Sequence, residues 1–289
     1  MLFIEINPWT KLGNWMFEYA AAISTGEDVC LYGVYDGWRK DIAPYVETIF
    51  KEAILHDGRP EGLEVYEAPT FRYHALPSFK GRDVDFRGYF QSEKFFDKER
   101  IRKLYGVPEE SRKYLLGKYG EWLNDPGVTG ISVRRGDYLK KPESHPFVGK
   151  DFLRKAMAKF PVGTKFVVCS DDIAWCKEFF KGEEFLFVSG ETAMNQMFVH
   201  SLCHHNIISN SSFSWWGAWL NEHEDKRVIA PSLWFGFGLS DDDSDLLWDG
   251  VEVIKNHYSV SQYIAGHVNV AVNAYKRKFY PLYCRLLRR

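Results

Sequence analysis

The sequence predicts an α/β protein with two Rossmann-like domains facing a cleft. Three observations carry this. Apolar runs of about four or five residues alternate with helical patterns of about ten through most of the second half. Each half also opens with the same unit, an apolar run followed by a polar, glycine-containing turn and then a helical pattern. Finally, 289 residues, 45% hydrophobic and 26% charged, suit one large domain or two of about 120–150 residues with a core of ordinary size. Such alternation requires a parallel sheet wound by right-handed crossovers.

The elements follow in order. Residues 2–6 are an apolar run read as the first strand, and residues 7–14 form a turn. Residues 15–24 carry helical spacing through Met16, Phe17, Tyr19, Ala20 and Ile23. Residues 86–90 read as a strand, and 98–104 and 109–123 as helices. The turn cluster Asn124-Asp125-Pro126-Gly127 marks the expected boundary. Residues 1–125 then form the first domain, 126–260 the second, and 261–289 a basic helical tail. In the second domain, residues 130–133, 165–169, 185–188, 206–209 and 227–230 read as strands. Helices are expected at 151–160, 173–180, 191–203 and 215–221.

Composition narrows the function. A net charge of −2 argues against nucleic-acid binding. Cys30, Cys169, Cys176, Cys203 and Cys284 are scattered and form no CxxC pair, so reduced thiols in a cytoplasmic protein are the simplest account. The opening MLFIEINPW lacks the basic start of a signal peptide, and no apolar run approaches the ~20 residues of a membrane span. Aromatic residues, 17% of the chain, suit sugar binding, though filling the core explains most of them. The tail carries Lys276, Arg277, Lys278, Arg285, Arg288 and Arg289 and no acid from residue 273 onward. It reads equally as a terminal helix packed across the domains or as an amphipathic helix touching anionic lipid at the inner membrane face. The second reading would suit a lipid-linked acceptor.

In open α/β sheets, ligands bind in the turns after the strands. Three such turns are unusually polar: Lys11-Leu12-Gly13-Asn14, Arg134-Arg135-Gly136-Asp137-Tyr138, and Asn210-Ser211-Ser212-Phe213-Ser214. Paired arginines at a strand end suit a diphosphate clamp, or equally a salt bridge to an acid such as Asp137. The Asn-Ser-Ser turn offers hydroxyls and free backbone N–H groups to an anion, or a plain helix cap. Asp171 ends a strand on the ligand side, with donor contact and helix capping as equal readings. No Walker loop or GxGxxG string is present. Other signals read as structural. Asp83-Val84-Asp85 has a DxD form but precedes a strand, His200 and His204 lack a third metal ligand, and the acids of residues 241–245 read as a solvated loop.

Four strings add a resemblance. Lys11-Leu12-Gly13-Asn14-Trp15-Met16-Phe17-Glu18-Tyr19-Ala20 resembles the GLGNQMFQYA opening of family 11 glycosyltransferases, the bacterial α1,2-fucosyltransferase family. Gly88-Tyr89-Phe90-Gln91-Ser92-Glu93-Lys94-Phe95-Phe96 is similar to its GYFQSEKYF segment, and residues 132–138 resemble its HxRRGDY motif. Residues 207–220 are similar to its IIANSSFSWWGAWL block. The four occur in family order across residues 11–220. The resemblance implies a GT-B-like fold, GDP-fucose as donor substrate, no cofactor, no metal, and inverting transfer to a glycan hydroxyl, most simply α1,2 to galactose in surface polysaccharide. By position, Arg134 contacts the donor β-phosphate and Arg135 supports its loop while flanking the donor. Asn14, with Lys11 and Gly13, reaches the donor from the first domain, and Asn210, Ser211, Ser212 and Ser214 hold it from the second.

Ser132 stands where the family has His near the guanine, Gln196 where relatives carry a base-reading Asp, and Trp15 where the family has Gln. A different nucleotide sugar, and a catalytically silent glycan-binding protein, therefore stand as rival readings. Asp137, Glu143 and His145 are the candidates for general base. Trp38, Tyr89 and Gln91 are expected on the acceptor side, within residues 35–91.

Overall fold

Two parallel sheets, each following a polar ligand turn with a helix, organise the computed structural model, which describes residues 1–239 and 241–286, with side chains to residue 276. The first half contains β1 (Leu2–Glu5), α1 (Leu12–Ile23), β2 (Val29–Gly33), α2 (Trp38–Val46), β3 (Ile54–Asp57), β4 (Glu64–Glu67) and β5 (Val84–Arg87). Two helices, α3 (Lys98–Tyr105) and α4 (Glu109–Leu123), lead onward. The second half runs β6 (Thr129–Val133), α5 (Lys150–Met157), β7 (Phe166–Ser170), α6 (Ile173–Phe179), β8 (Phe185–Phe187), α7 (Ala193–Leu202) and β9 (His205–Ile207). It closes with α8 (Ser212–Trp219), β10 (Val228–Pro231), β11 (Val251–Ile254) and α9 (Val260–Leu286).

The first sheet has strand order β3-β2-β1-β5-β4 and the second β11-β10-β9-β6-β7-β8. All pairings are parallel. Counted from β6, the second sheet has the Rossmann order, and its order reverses between β6 and β9. In the first sheet the reversal falls between β1 and β5. Ligands bind at such reversal points, outside the carboxyl ends of the strands. Those four strands lead into the four strings singled out above, so topology alone brings them together.

Several elements differ from expectation. Helix α1 begins at Leu12 and α8 at Ser212, three residues earlier than the apolar spacing suggests. A first helical turn leaves its N–H groups free and does not need apolar residues. Strands β3, β4 and β11, absent from the sequence reading, lie at sheet edges. In β3 and β4 half-exposed polar residues blur the period-two signal. Strand β5 starts at Val84, so Asp85 lies within a strand. Its fully buried carboxylate pairs with Arg59 at 2.9 Å and Arg87 at 2.6 Å and accepts from Tyr32 at 3.0 Å. This consumes the DxD form internally.

One apolar core runs through both halves. Phe17 of α1 stands 4.6 Å from the rings of both Trp215 and Trp216, and Phe96 stacks on Trp216 at 5.4 Å. Trp216 Nε1 donates to the Gly13 carbonyl at 3.0 Å, and Trp219 Nε1 to Glu93 at 2.9 Å. Buried indoles need such partners; these two find theirs in the opposite half, while Trp215 donates to the Leu246 carbonyl of its own half at 2.8 Å. Residues 241–245 form a largely exposed loop, as expected, but one tied down by ion pairs. Asp242 pairs with Arg72 at 3.4 Å, and Asp245 with Arg72 at 3.5 Å and Lys94 at 2.5 Å. Helix α9 is anchored through Gln262 to the Phe147 carbonyl and through Asn269 to Glu143, both at 2.9 Å or less. Arg288 and Arg289 lie outside the described residues, as do the side chains of Arg277, Lys278, Arg285 and Cys284. No helix among the described residues is long and apolar enough to cross a membrane.

Candidate functional site

The carboxyl ends of the two sheets enclose a cleft of about 710 Å³. Its centre is formed where the N-termini of α1 and α8 converge. Neither helix has a side-chain cap at its start, so free N–H groups and the positive ends of two helix dipoles face the cleft. Gly13 permits the approach, because a Cβ there would lie 2.6 Å from both Phe213 N and Ser212 Oγ. Asn14 bridges the halves: its Oδ1 accepts from Gln91 Nε2 at 2.9 Å and from Ser212 Oγ at 2.8 Å. Among the described residues the Asn14 amide nitrogen has no acceptor, so it is left as a donor toward the cleft.

Arg134 leaves the end of β6 at the reversal point, with about a third of its side chain exposed. Its guanidinium meets Asp137 at 2.6 Å and Asp171 at 2.8 Å and lies 5.5 Å over the Tyr138 ring. Asp171 also accepts from the Arg135 backbone N–H at 2.9 Å. A Cβ on Gly136 would come within 2.5 Å of that carboxylate, so glycine is needed for Asp171 to hold the loop. Tyr138 donates to the Asn210 carbonyl at 3.0 Å, tying the arginine loop to the turn after β9. Burial pushes the Tyr138 hydroxyl far above its ordinary range, keeping it a neutral donor.

Lys11, Gly13, Asn14, Tyr89, Gln91, Arg134, Asp137, Asp171, Gln196, Asn210, Ser211, Ser212 and Ser214 all line this cleft. Two expected residues do not. Arg135 turns inward, bonding Asp172 at 3.0 Å and lying 4.0 Å over Trp175, so it pins the loop rather than touching a ligand. Trp38 is buried at the start of α2, its ring filling the space beside Gly33. Asp41 and Tyr45, further along α2, face the cleft instead.

Other residues line the cleft but are already engaged. Both Asn210 Nδ2 hydrogens are used, by the carbonyls of Pro146 at 2.6 Å and Trp234 at 2.9 Å, so this side chain fixes the turn. Ser214 sits in a chain of hydroxyls with Ser132 at 2.7 Å and Ser209 at 2.9 Å. The Gln196 amide donates to the Glu191 carbonyl at 3.2 Å. Glu143 faces Asn269 of α9 and is not among the cleft-lining residues. His145 lines the cleft, stacked on Tyr138 at 4.9 Å, and burial lowers its proton affinity below the usual histidine range.

Phe71, Phe235 and Asp241 also line the cleft and escaped the sequence reading. Phe235 alone carried a usable signal, an aromatic run directly after the strand at 227–230. The backbone aims Tyr89 outward. Gly88 has φ +152°, and Phe90, at φ +48°, is the one non-glycine residue with positive φ among the described residues. Phe90 is held there by stacking 4.3 Å from Phe86. Among the described residues no group of three or more His, Cys, Asp or Glu is placed to hold a metal ion.

Two Rossmann-like halves facing a cleft at their reversal points define a GT-B-type architecture. The profile of glycosyl transferase family 11 matches residues 40–236, more than half of the chain, and the chain belongs to that family. It is 31% identical over 187 residues to an alpha-1,2-colitosyltransferase of Escherichia coli, covering 59% of this chain and 62% of that protein. It is 34% identical over 162 residues to the O-antigen biosynthesis glycosyltransferase WbnK of the same organism, covering 51% and 54%. The match thus spans less than two thirds of either relative's length. A galactoside alpha-(1,2)-fucosyltransferase 2 of Mus musculus is 27% identical over 242 residues, covering 74% of this chain and 67% of that one.

Proposed function

We propose that the chain is an inverting glycosyltransferase that moves L-fucose from GDP-fucose to a galactose-type hydroxyl of a surface polysaccharide or oligosaccharide precursor. The observation that carries this is Arg134 at the β6–β9 reversal point, facing two uncapped helix N-termini. In this reading a diphosphate takes the place of one carboxylate on the Arg134 guanidinium, and the α8 and α1 N–H groups receive the charge that grows as the sugar–phosphate bond breaks. Asp137 and Asp171 are then counter-ions that hold the arginine ready. Asn14 donates from its amide nitrogen, and Lys11 and Ser211 approach the same phosphates. Metal is not required. Of the candidate bases, His145 fits best, since it lines the cleft and burial lowers its proton affinity, favouring the neutral ring. His145→Asn should lower kcat by roughly 100-fold or more with donor affinity unchanged, and an unaltered kcat removes the role.

The test is donor calorimetry in EDTA with GDP-fucose, GDP-mannose, UDP-galactose and GDP. Selective binding of GDP-fucose and GDP, weakened by about 1.5–3 kcal/mol in Arg134→Ala, is expected. Preference for UDP-galactose, or dependence on metal, refutes the reading. A same-fold transferase with another donor sugar is the second reading, favoured by Ser132 and Gln196 being engaged internally and by the colitosyltransferase relative. It predicts GDP binding without preference for the fucosyl form.

The exposed Val260, Tyr263, Ile264, Val268 and Tyr275 of α9, with the basic residues beyond them, fit peripheral membrane contact near a lipid-linked acceptor. Anionic liposomes should retain the full chain and not one ending before Val268, and equal partitioning ends that idea.

A further inference from the structure

Four residues that line the cleft are unused by the donor reading: Phe71 and Tyr89 from the first half, and Phe235 and Asp241 from the second. The Asp241 carboxylate is near enough to Tyr89 to act on its hydroxyl electrostatically. Phe71 meets Phe235 edge-on, centroids 4.9 Å apart at 89°, and lies 5.9 Å from Tyr89, whose ring is half exposed. Open aromatic faces inside a polar cleft suit the C–H face of a pyranose.

The polar partner of this wall comes from a loop whose acids have different surroundings. Asp242 and Asp245 are spent on Arg72 and Lys94, and Asp245 also accepts from the Tyr73 backbone N–H at 3.2 Å. These bonds staple a loop of the second half onto the first. Asp243 is partly buried, and burial raises its carboxyl. Asp241 alone turns to the cleft, with no hydrogen bond or ion pair among the described residues. The other carboxylates lining the cleft are committed: Asp41 accepts from Tyr35 at 2.7 Å, and Asp137 and Asp171 hold Arg134. A free carboxylate repels a diphosphate and takes hydroxyl donors, two of them when they are adjacent.

We propose that Phe71, Tyr89, Phe235 and Asp241 form the acceptor subsite, where a terminal galactose-type ring packs on the aromatic wall and two of its adjacent hydroxyls donate to Asp241. This rests on the transferase reading above. It also places the subsite on both halves, where the sequence had suggested the first alone.

The experiment is saturation-transfer NMR with lactose and N-acetyllactosamine, with and without GDP, on the wild-type chain, Asp241→Asn and Asp249→Asn. Asp249→Asn makes the same charge change at an exposed residue outside the cleft lining and outside the ion pairs that hold the loop. The expected result is transfer to the galactose ring in wild type and Asp249→Asn, and binding about tenfold weaker or worse in Asp241→Asn, as for one lost charge-assisted hydrogen bond. Phe235→Leu should weaken binding in the same direction without altering the affinity for GDP. No transfer in wild type, equal weakening by both aspartate variants, or an Asp241→Asn affinity within about twofold of wild type overturns the subsite. Calorimetry with GDP-fucose on the same samples separates the two ideas. A chain that binds the nucleotide but shows no Asp241-dependent galactoside binding refutes the subsite alone, and one that binds no nucleotide refutes the transferase reading.

Discussion

Substituting alanine for glycine should have opposite effects at two positions. Gly13 lies in the first turn of α1, where an added Cβ would sit 2.6 Å from Phe213 N, 2.6 Å from Ser212 Oγ and 2.7 Å from Ser212 C. Two of these are backbone atoms at the start of α8 and cannot swing aside. The gain in helix propensity is at most about 1 kcal/mol, while overpacking of this severity costs about 1–3 kcal/mol. Three contacts this short put the cost at the upper end, so Gly13→Ala should lose about 2 kcal/mol net. Gly117, exposed inside α4, has nothing within 4 Å of an added Cβ. Gly117→Ala should therefore gain about 0.5–1 kcal/mol. At roughly 2–4 °C per kcal/mol for a chain of this size, the two melting temperatures should move apart by about 5–12 °C. Scanning calorimetry on both variants measures this, with GDP titrated afterwards. Gly13→Ala should also bind nucleotide more weakly, because the two helix starts are pushed apart. A Gly13→Ala melting temperature at or above wild type would refute the claim that these helices meet at van der Waals limits.

Three further predictions follow from the same geometry. Arg135→Ala should lower stability by about 2 kcal/mol, leaving Asp172 unpaired and Trp175 uncovered, yet weaken nucleotide binding less than Arg134→Ala; equal binding losses would return Arg135 to the ligand. His200 is fully buried, and its proton affinity is lowered to about 4 by desolvation. Between pH 6.5 and about 4 the unfolded chain therefore holds the extra proton, so stability falls as pH drops through that window, by ~3 kcal/mol at most. Urea titrations of His200→Met should show a flatter pH dependence there, and an unchanged slope counts against this. Burial raises the thiols of Cys30, Cys169, Cys176 and Cys203 above the ordinary cysteine range. These four should resist thiol reagents until the chain unfolds, and fast reaction of any of them in the native protein contradicts the packing.

What the sequence made legible was the set of turns that follow strands. Arg134, Asn14 and the turn at residues 210–214 stood out because they follow apolar runs, where open α/β sheets bind ligands, although a salt bridge or a helix cap would use the same residues. What remained hidden was side-chain direction. Arg134 and Arg135 are adjacent and chemically alike, so spacing does not separate them; the family resemblance put Arg134 on the donor side, and the positions of Asp171, Asp172 and Trp175 are what turn Arg134 to the cleft and Arg135 inward. Trp38 was expected on the acceptor side, but Gly33 in the neighbouring strand makes room for its ring in the core. The ion pairs of Asp242 and Asp245 were not legible because their partners, Arg72 and Lys94, are about 150–170 residues away in sequence. Long-range pairing of that kind leaves no periodic trace. Edge strands β3 and β4 were lost for a different reason, since exposed polar residues mask alternation.

The tryptophans of α8 have a consequence for how such a protein can be divided. Trp215, Trp216 and Trp219 are completely buried, and their neighbours Phe17, Phe96 and Tyr105 belong to the other half. Expressed separately, either half would present a wet aromatic face where it now has an interior. Chimeras that exchange one half between relatives must carry over both sides of this seam or lose solubility, whatever nucleotide or acceptor they were meant to recruit. Recombination among related transferases is then free to vary the loops at the cleft mouth, while the two sides of the seam must be inherited together.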